Sequence, residues 1–161
     1  MPNRFFKKHF LAFSLLFSCV AHSDCFESAG KYYGIDPDYL RAIAWQESRF
    51  KHNAINKNYD GSIDVGIMQI NTTTLKSIKR EYPNLTKDRL LNEPCLNIFV
   101  GGMLLKRNFN VYGKKWLSVG MYNAGMRNSD KVIQNRYNYA SKINKHYQDL
   151  KSGKIERIAI H

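Results

Sequence analysis

Apolar residues recur at helical spacing along most of this chain, and one short stretch alternates strictly instead. Leu40, Ile43, Ala44 and Glu47 fall on one helix face at i, i+3, i+4 and i+7, after a good N-cap, Asp36, and a proline suited to the first turn, Pro37. Glu47 therefore stands where the pattern calls for an apolar residue. A shorter helix is predicted ahead of it over 26–33, with Gly34 placed to end it. Beyond Phe50 the stretch 51–61 is polar and rich in Asn, and Asp60-Gly61 signals a turn. Ile63, Val65 and Ile67 then alternate with Ser62, Asp64 and Gly66, which predicts a small β-ribbon continued by Met68-Gln69-Ile70 toward the next helix.

The remainder reads as helix. One helix is expected over 72–82, stopped by Pro83, and Thr86 caps a short turn. Pro94 opens a long helix with Cys95, Ile98, Phe99, Gly102, Leu105 and Phe109 at its apolar positions. Gly101-Gly102 inside it lowers helix propensity by roughly 1 kcal/mol per glycine relative to alanine, so the close approach of a neighbouring backbone is expected there. Gly113 separates this helix from one over 114–124. Ser129 caps a last helix, with Ile133, Tyr137, Ala140 and Tyr147 on the expected core face. No repeat, linker or low-complexity tract interrupts the pattern, so the fold class is α+β, mainly α, in a single domain with one β-ribbon.

The N-terminus changes the picture of where the protein works. Arg4, Lys7 and Lys8 precede an apolar run over 10–20, and Ala21-His22-Ser23 offers small residues where a signal peptidase reads. Residues 1–23 are thus expected to be a signal peptide and 24–161 the mature domain, exported to the periplasm and without an integral membrane segment. The run falls short of the roughly 20 apolar residues of a comfortable bilayer span. A lipoprotein site at Cys19 fits less well, because bulky Phe17 occupies a position that normally carries a small residue.

Removing the leader leaves two cysteines, Cys25 and Cys95. In an oxidising compartment they suggest one bridge between the start and the middle of the chain, the alternative being two buried thiols. No further Cys or His stands at ligand spacing nearby, so no metal is expected. The chain carries 25 Lys and Arg against 13 Asp and Glu. Such a charge suits an anionic polymer or surface, but it is scattered along the chain and selects no partner. Nucleic acid is not expected, since no recognition module is present and an exported protein is in the wrong compartment.

Three places carry candidate chemistry. A glutamate on an apolar helix face resists ionisation, and a carboxyl protonated at neutral pH is what general acid catalysis requires. Ser48 beside Glu47 is a short donor able to orient substrate or the carboxylate. Gly66-Ile67-Met68-Gln69-Ile70-Asn71 sets two amides after the ribbon, and Tyr122-Asn123-Ala124-Gly125 ends a helix with an aromatic and an amide. Amides both donate to and accept from sugar hydroxyl and N-acetyl groups, and an aromatic face stacks on a sugar ring. Singly, each of these also reads as turn chemistry or helix capping.

In order, Ala42-Ile43-Ala44-Trp45-Gln46-Glu47-Ser48, then Gly66 to Asn71, Met121-Tyr122-Asn123-Ala124-Gly125 and Tyr139-Ala140-Ser141-Lys142-Ile143 resemble the motif set of soluble lytic transglycosylases. The four blocks span most of the mature chain. Its small size, its cysteines and the block from Asp60 to Gly66 resemble the specialised members that accompany secretion and pilus machines. The resemblance implies a lysozyme-like fold, no cofactor, and cleavage of the β-1,4 bond from N-acetylmuramic acid to N-acetylglucosamine in peptidoglycan. Glu47 would serve as acid and then base, closing a 1,6-anhydro ring. Gln69, Asn71, Tyr122 and Asn123 would hold substrate, Met68 would line the cleft, and Tyr139 would hydrogen-bond near Glu47. Met121 stands where the family often has alanine, and packing alone is expected to change.

Asp64 departs from many members of that family. Its place just before Gly66 resembles the second carboxylate of animal-type lysozymes, which makes hydrolysis by Glu47 and Asp64 an alternative outcome. The alternation that sets Ile63 and Val65 on one face sets Asp64 on the other, where it is either a cleft residue or a plain surface acid. A non-catalytic basic binding protein, holding an anionic polymer or a part of a secretion apparatus, is the remaining reading.

Overall fold

The computed structural model describes residues 23–161, so the expected signal peptide lies almost wholly outside the described residues. Asp24 caps helix α1 (Cys25–Tyr33) by accepting from the Phe26 amide, and Gly34 ends it in the left-handed conformation. Asp36 and Pro37 open α2 (Pro37–Ser48), whose Leu40, Ile43 and Ala44 are fully buried. The helix stops abruptly, because Arg49 and Phe50 both take positive φ, a conformation disfavoured by roughly 1–2 kcal/mol per non-glycine residue. Phe50 packs between Phe26 and Trp45, and this packing holds the turn.

Three short strands follow: β1 (Ile55–Lys57), β2 (Ile63–Val65) and β3 (Ile70–Asn71), antiparallel in the order β1-β2-β3. Directly opposed residues share a face. Asn56, Asp64 and Asn71 pair across the three strands, and Ile55, Val65 and Ile70 form the adjacent row. The predicted alternation ends one step early, since Gly66 turns the chain at φ 78° and Ile67 sits in that turn rather than in the ribbon, still fully buried. Asn97, wholly buried, holds the turn by accepting from the Met68 amide and donating to the carbonyls of Val65 and Leu90.

Helix α3 (Thr72–Ile78) is shorter than expected, because Glu81 and Tyr82 both fold back to donate to the Ile78 carbonyl before Pro83 is reached. Helix α4 (Lys87–Asn92) is capped by Thr86, and α5 (Pro94–Tyr112) is the long central helix. Its two glycines make room for side chains rather than for a neighbouring backbone. A Cβ on Gly101 would lie 2.7 Å from Met68 Cε and 3.0 Å from the Tyr122 hydroxyl; one on Gly102 would lie 2.8 Å from Tyr33. Cys25 and Cys95 are bonded, with Cα atoms 5.3 Å apart, which joins the starts of α1 and α5 across 70 residues.

Helices α6 (Trp116–Ala124) and α7 (Asp130–Lys151) complete the chain. The core face of α7 differs from the expected one. Tyr137 is exposed, and the buried stripe runs through Arg136, Tyr139, Ala140, Ile143 and Leu150. Arg136 goes inward because its guanidinium donates to the carbonyls of Gly125 and Arg127, which the end of α6 leaves without helical partners. Met121 is buried in packing, as expected. No helix among the described residues is long and apolar enough to cross a membrane, and no cluster of metal-ligating side chains occurs among them.

Candidate active site

The last turn of α2, the cleft face of the three-stranded sheet and the end of α6 enclose a groove of about 580 Å³. Glu47 lies on one wall. Asp64, Gln69 and Asn71 come from the sheet side, and Tyr122 and Asn123 from α6. Six of the residues singled out in the sequence thus meet in one cavity.

Glu47 is half-buried, and the hydroxyl of Tyr139 donates to its Oε1. Withdrawal from water pushes its carboxyl up, the tyrosine hydrogen bond pulls it partly back, the charge of Asp64 adds to the rise, and the balance stands at about 7. Among the described residues no Lys, Arg or His pairs with it. Tyr139, buried and facing the carboxylate, is held well above the usual phenol range, so it remains a donor. Because that proton occupies Oε1, Oε2 is left to carry the acid proton.

Asp64 faces the cleft on β2, in the middle of the polar cross-strand row. Asn71 donates to its Oδ1 at 2.7 Å and Asn58 to its Oδ2 at 2.9 Å, so an amide orients each oxygen. Asp60, in the turn that joins β1 to β2, accepts from the backbone and hydroxyl of Ser62.

Several expected substrate contacts prove to be internal. The Ser48 hydroxyl is buried and faces the carbonyls of Ala44 and Ile67, tying the 66–69 turn to the end of α2. Met68 lies fully buried beneath the cleft against Gly101 and does not line it. The Gln69 amide is engaged on both sides: Nε2 donates to the carbonyls of Gly66 and Ala54, and Oε1 accepts from Asn56. Tyr122 lines the groove, but its hydroxyl donates to the Met68 carbonyl. Asn71 also caps α3 through the Thr73 amide. Asn123 is the exposed amide of the set.

Sequence reasoning missed Asn56, Asn58 and Tyr59. The only signal for them was an Asn-rich polar stretch, which does not say which amides turn inward.

Residues 24–145 match the family model described as Transglycosylase SLT domain. The X polypeptide of Escherichia coli is 40% identical over 155 residues, covering 94% of this chain and 90% of that one. Invasion protein IagB of Salmonella typhimurium is 40% identical over 137 residues, covering 85% and 83%. An inactive mutant of the lytic transglycosylase Slt from Pseudomonas aeruginosa superposes with a TM-score of 0.61 at 20% identity, covering 87% of this chain and 26% of that chain. That last likeness is one of fold.

Proposed function

This chain belongs to the transglycosylase SLT domain family, the lytic transglycosylases of peptidoglycan, and from that premise we propose how its cleft works and where it acts. Glu47, whose acid form stays well populated at neutral pH, gives its proton to the glycosidic oxygen between N-acetylmuramic acid and N-acetylglucosamine. The bond from that oxygen to the muramic C1 breaks, and positive charge grows on the sugar. The substrate's N-acetyl group supports that charge from within, and Asp64, oriented by Asn58 and Asn71, supports it from the cleft. Glu47, now a carboxylate, takes the proton of the C6 hydroxyl on the same sugar. The freed oxygen bonds to C1 and closes a 1,6-anhydro ring, so no water is consumed and the carboxyl returns to its acid form.

The observation that carries this reading is a half-buried carboxyl raised to about 7 in a cleft that offers it a tyrosine hydroxyl and no cation. Tyr139 acts on Glu47 rather than on substrate. Asn123 and the open edges of the amide network are the residues placed to meet sugar hydroxyl and acetamido groups.

A hydrolytic outcome has one observation in its favour, Asp64 itself, which faces the same groove. Digestion of purified peptidoglycan separates the two by product mass. The wild type is expected to leave 1,6-anhydromuramic ends, Glu47→Gln to leave none, and Asp64→Asn to leave fewer. Reducing ends alone would replace the intramolecular route with hydrolysis.

The site of action is the periplasm, reached through the leader at 1–23. The disulfide from Cys25 to Cys95 suits such an oxidising compartment. Local opening of the wall for an envelope-spanning apparatus fits a small enzyme similar to a protein named for invasion. Its strongly basic composition suits a wall that carries anionic groups.

A further inference from the structure

Among the tyrosines around the cleft, two are already committed. Tyr139 is buried behind Glu47, and Tyr122 is half-buried with its hydroxyl on the Met68 carbonyl. Tyr59, at the tip of the β1–β2 hairpin, is the opposite case: it lines the same groove, its relative exposure is 110%, and its side chain touches no partner among the described residues.

The tip that carries it is nevertheless braced. The Asn58 amide donates to the Ser62 carbonyl at 2.8 Å, Gly61 donates back to Asn58 at 3.0 Å, and Gly61 supplies the positive φ the turn needs. The side chains on either side of Tyr59 turn inward, Asn58 to Asp64 and Ser62, and Asp60 to the backbone and hydroxyl of Ser62. The hairpin thus fixes the root of an aromatic side chain that contributes nothing to the core. Such bracing lowers the entropy lost when a ligand settles on the ring.

Resting on the function proposed above, we propose that Tyr59 is the stacking platform of a glycan subsite remote from the scissile bond. It holds the apolar face of one N-acetylhexosamine ring and gives the enzyme a preference for long strands. The ring it holds is not the one being cut, because the tip lies beyond the Lys57–Ile63 pair, past Asp64 along the hairpin. The face of the phenol does the work, and the hydroxyl is dispensable.

The test is made in the Glu47→Gln background, where substrate is bound without being cleaved. Affinities are measured by calorimetry for purified glycan strands of several disaccharides and for a single disaccharide. Adding Tyr59→Ala is expected to weaken binding of the long strand roughly five- to tenfold and to leave the disaccharide unchanged. Tyr59→Phe should bind the long strand like its parent. Undiminished long-strand affinity in Tyr59→Ala, an equal loss on the disaccharide, or a loss in Tyr59→Phe as large as in Tyr59→Ala would each overturn the proposal. The anhydro ends left by the wild type are read separately, so a failure of the catalytic reading is not mistaken for a failure of this one.

Discussion

Asp38 and Glu47 stand in the first and last turns of the same helix, both withdrawn from water, and their surroundings drive them in opposite directions. Burial alone would raise Asp38 too, but hydrogen bonds from Arg157, Lys151 and Arg41 overcome it and hold that carboxyl well below the usual carboxylate range. Arg41 is itself buried and also pairs with Asp24 and Glu27, and Ile160 near the C-terminus closes onto Asp24 and Cys25. Asp38 thus belongs to a network that ties α1 and α2 to the segment around Arg157 and Ile160. Glu47 meets the same withdrawal from water with a neutral hydroxyl and a second negative charge, so its acid form is favoured. The comparison teaches that burial raises a carboxyl by default and that nearby cations are what reverse the sign.

The comparison breaks most visibly at Glu47. Glu47→Gln keeps the shape and removes the exchangeable proton, so turnover on purified peptidoglycan is expected to fall by about a thousandfold, on the order of 4 kcal/mol of transition-state stabilisation. Asp38→Asn should act on the other end of the helix and on another quantity. Denaturant unfolding is expected to show a loss of roughly 3 kcal/mol, with activity per folded molecule unchanged, because buried Arg41 and the part-exposed Lys151 and Arg157 lose a counter-charge outside the cleft.

Stability against pH separates the two acids by sign. Asp38 ionises more readily in the folded protein than in the unfolded chain. Its contribution is present above the ordinary carboxylate pKa and is lost as the pH falls through and below it. Glu47 ionises less readily when folded, so stability is lost as the pH rises from about 4.5 to about 7 and then levels, a loss of about 3 kcal/mol. Glu47→Gln abolishes that decline, and unfolding free energies at pH 4 and pH 8 would then differ by far less than in the wild type. The smallest effect is expected at Tyr139. Tyr139→Phe removes the one interaction that lowers Glu47, so the alkaline limb of the pH–rate profile moves upward, by roughly one unit or less.

Much of this is legible in the amino-acid sequence. The apolar helix face that ends in Glu47 is a pattern of spacing, and Asp36, Pro37, Gly34 and Thr86 cap elements through local backbone chemistry. Alternation sets Asp64 on the face opposite Ile63 and Val65 but leaves open whether that face is cleft or plain surface, and in the fold it lines the groove. What was not legible depends on which polar groups the fold leaves without partners. Arg136 displaces Tyr137 from the core face because α6 ends beneath it, and Gln69 turns inward because Gly66 and Ala54 present carbonyls there. Ser48, Met68 and Tyr122 sit in or beside motifs that also bear functional residues, so they read as substrate contacts although they hold the 66–69 turn. Tyr59 was invisible for the converse reason: an exposed aromatic in a polar loop has no periodic partner to announce it.

The central claim is that a large share of Glu47 still carries its proton at neutral pH, while Asp38, on the same helix, is fully ionised there. Carbon-13 NMR titration of the side-chain carboxyls in the folded protein, with Glu47→Gln to assign the signal, tests it directly. A Glu47 midpoint near 7 is the predicted result; a midpoint at the ordinary glutamate value of about 4.5 would contradict the account.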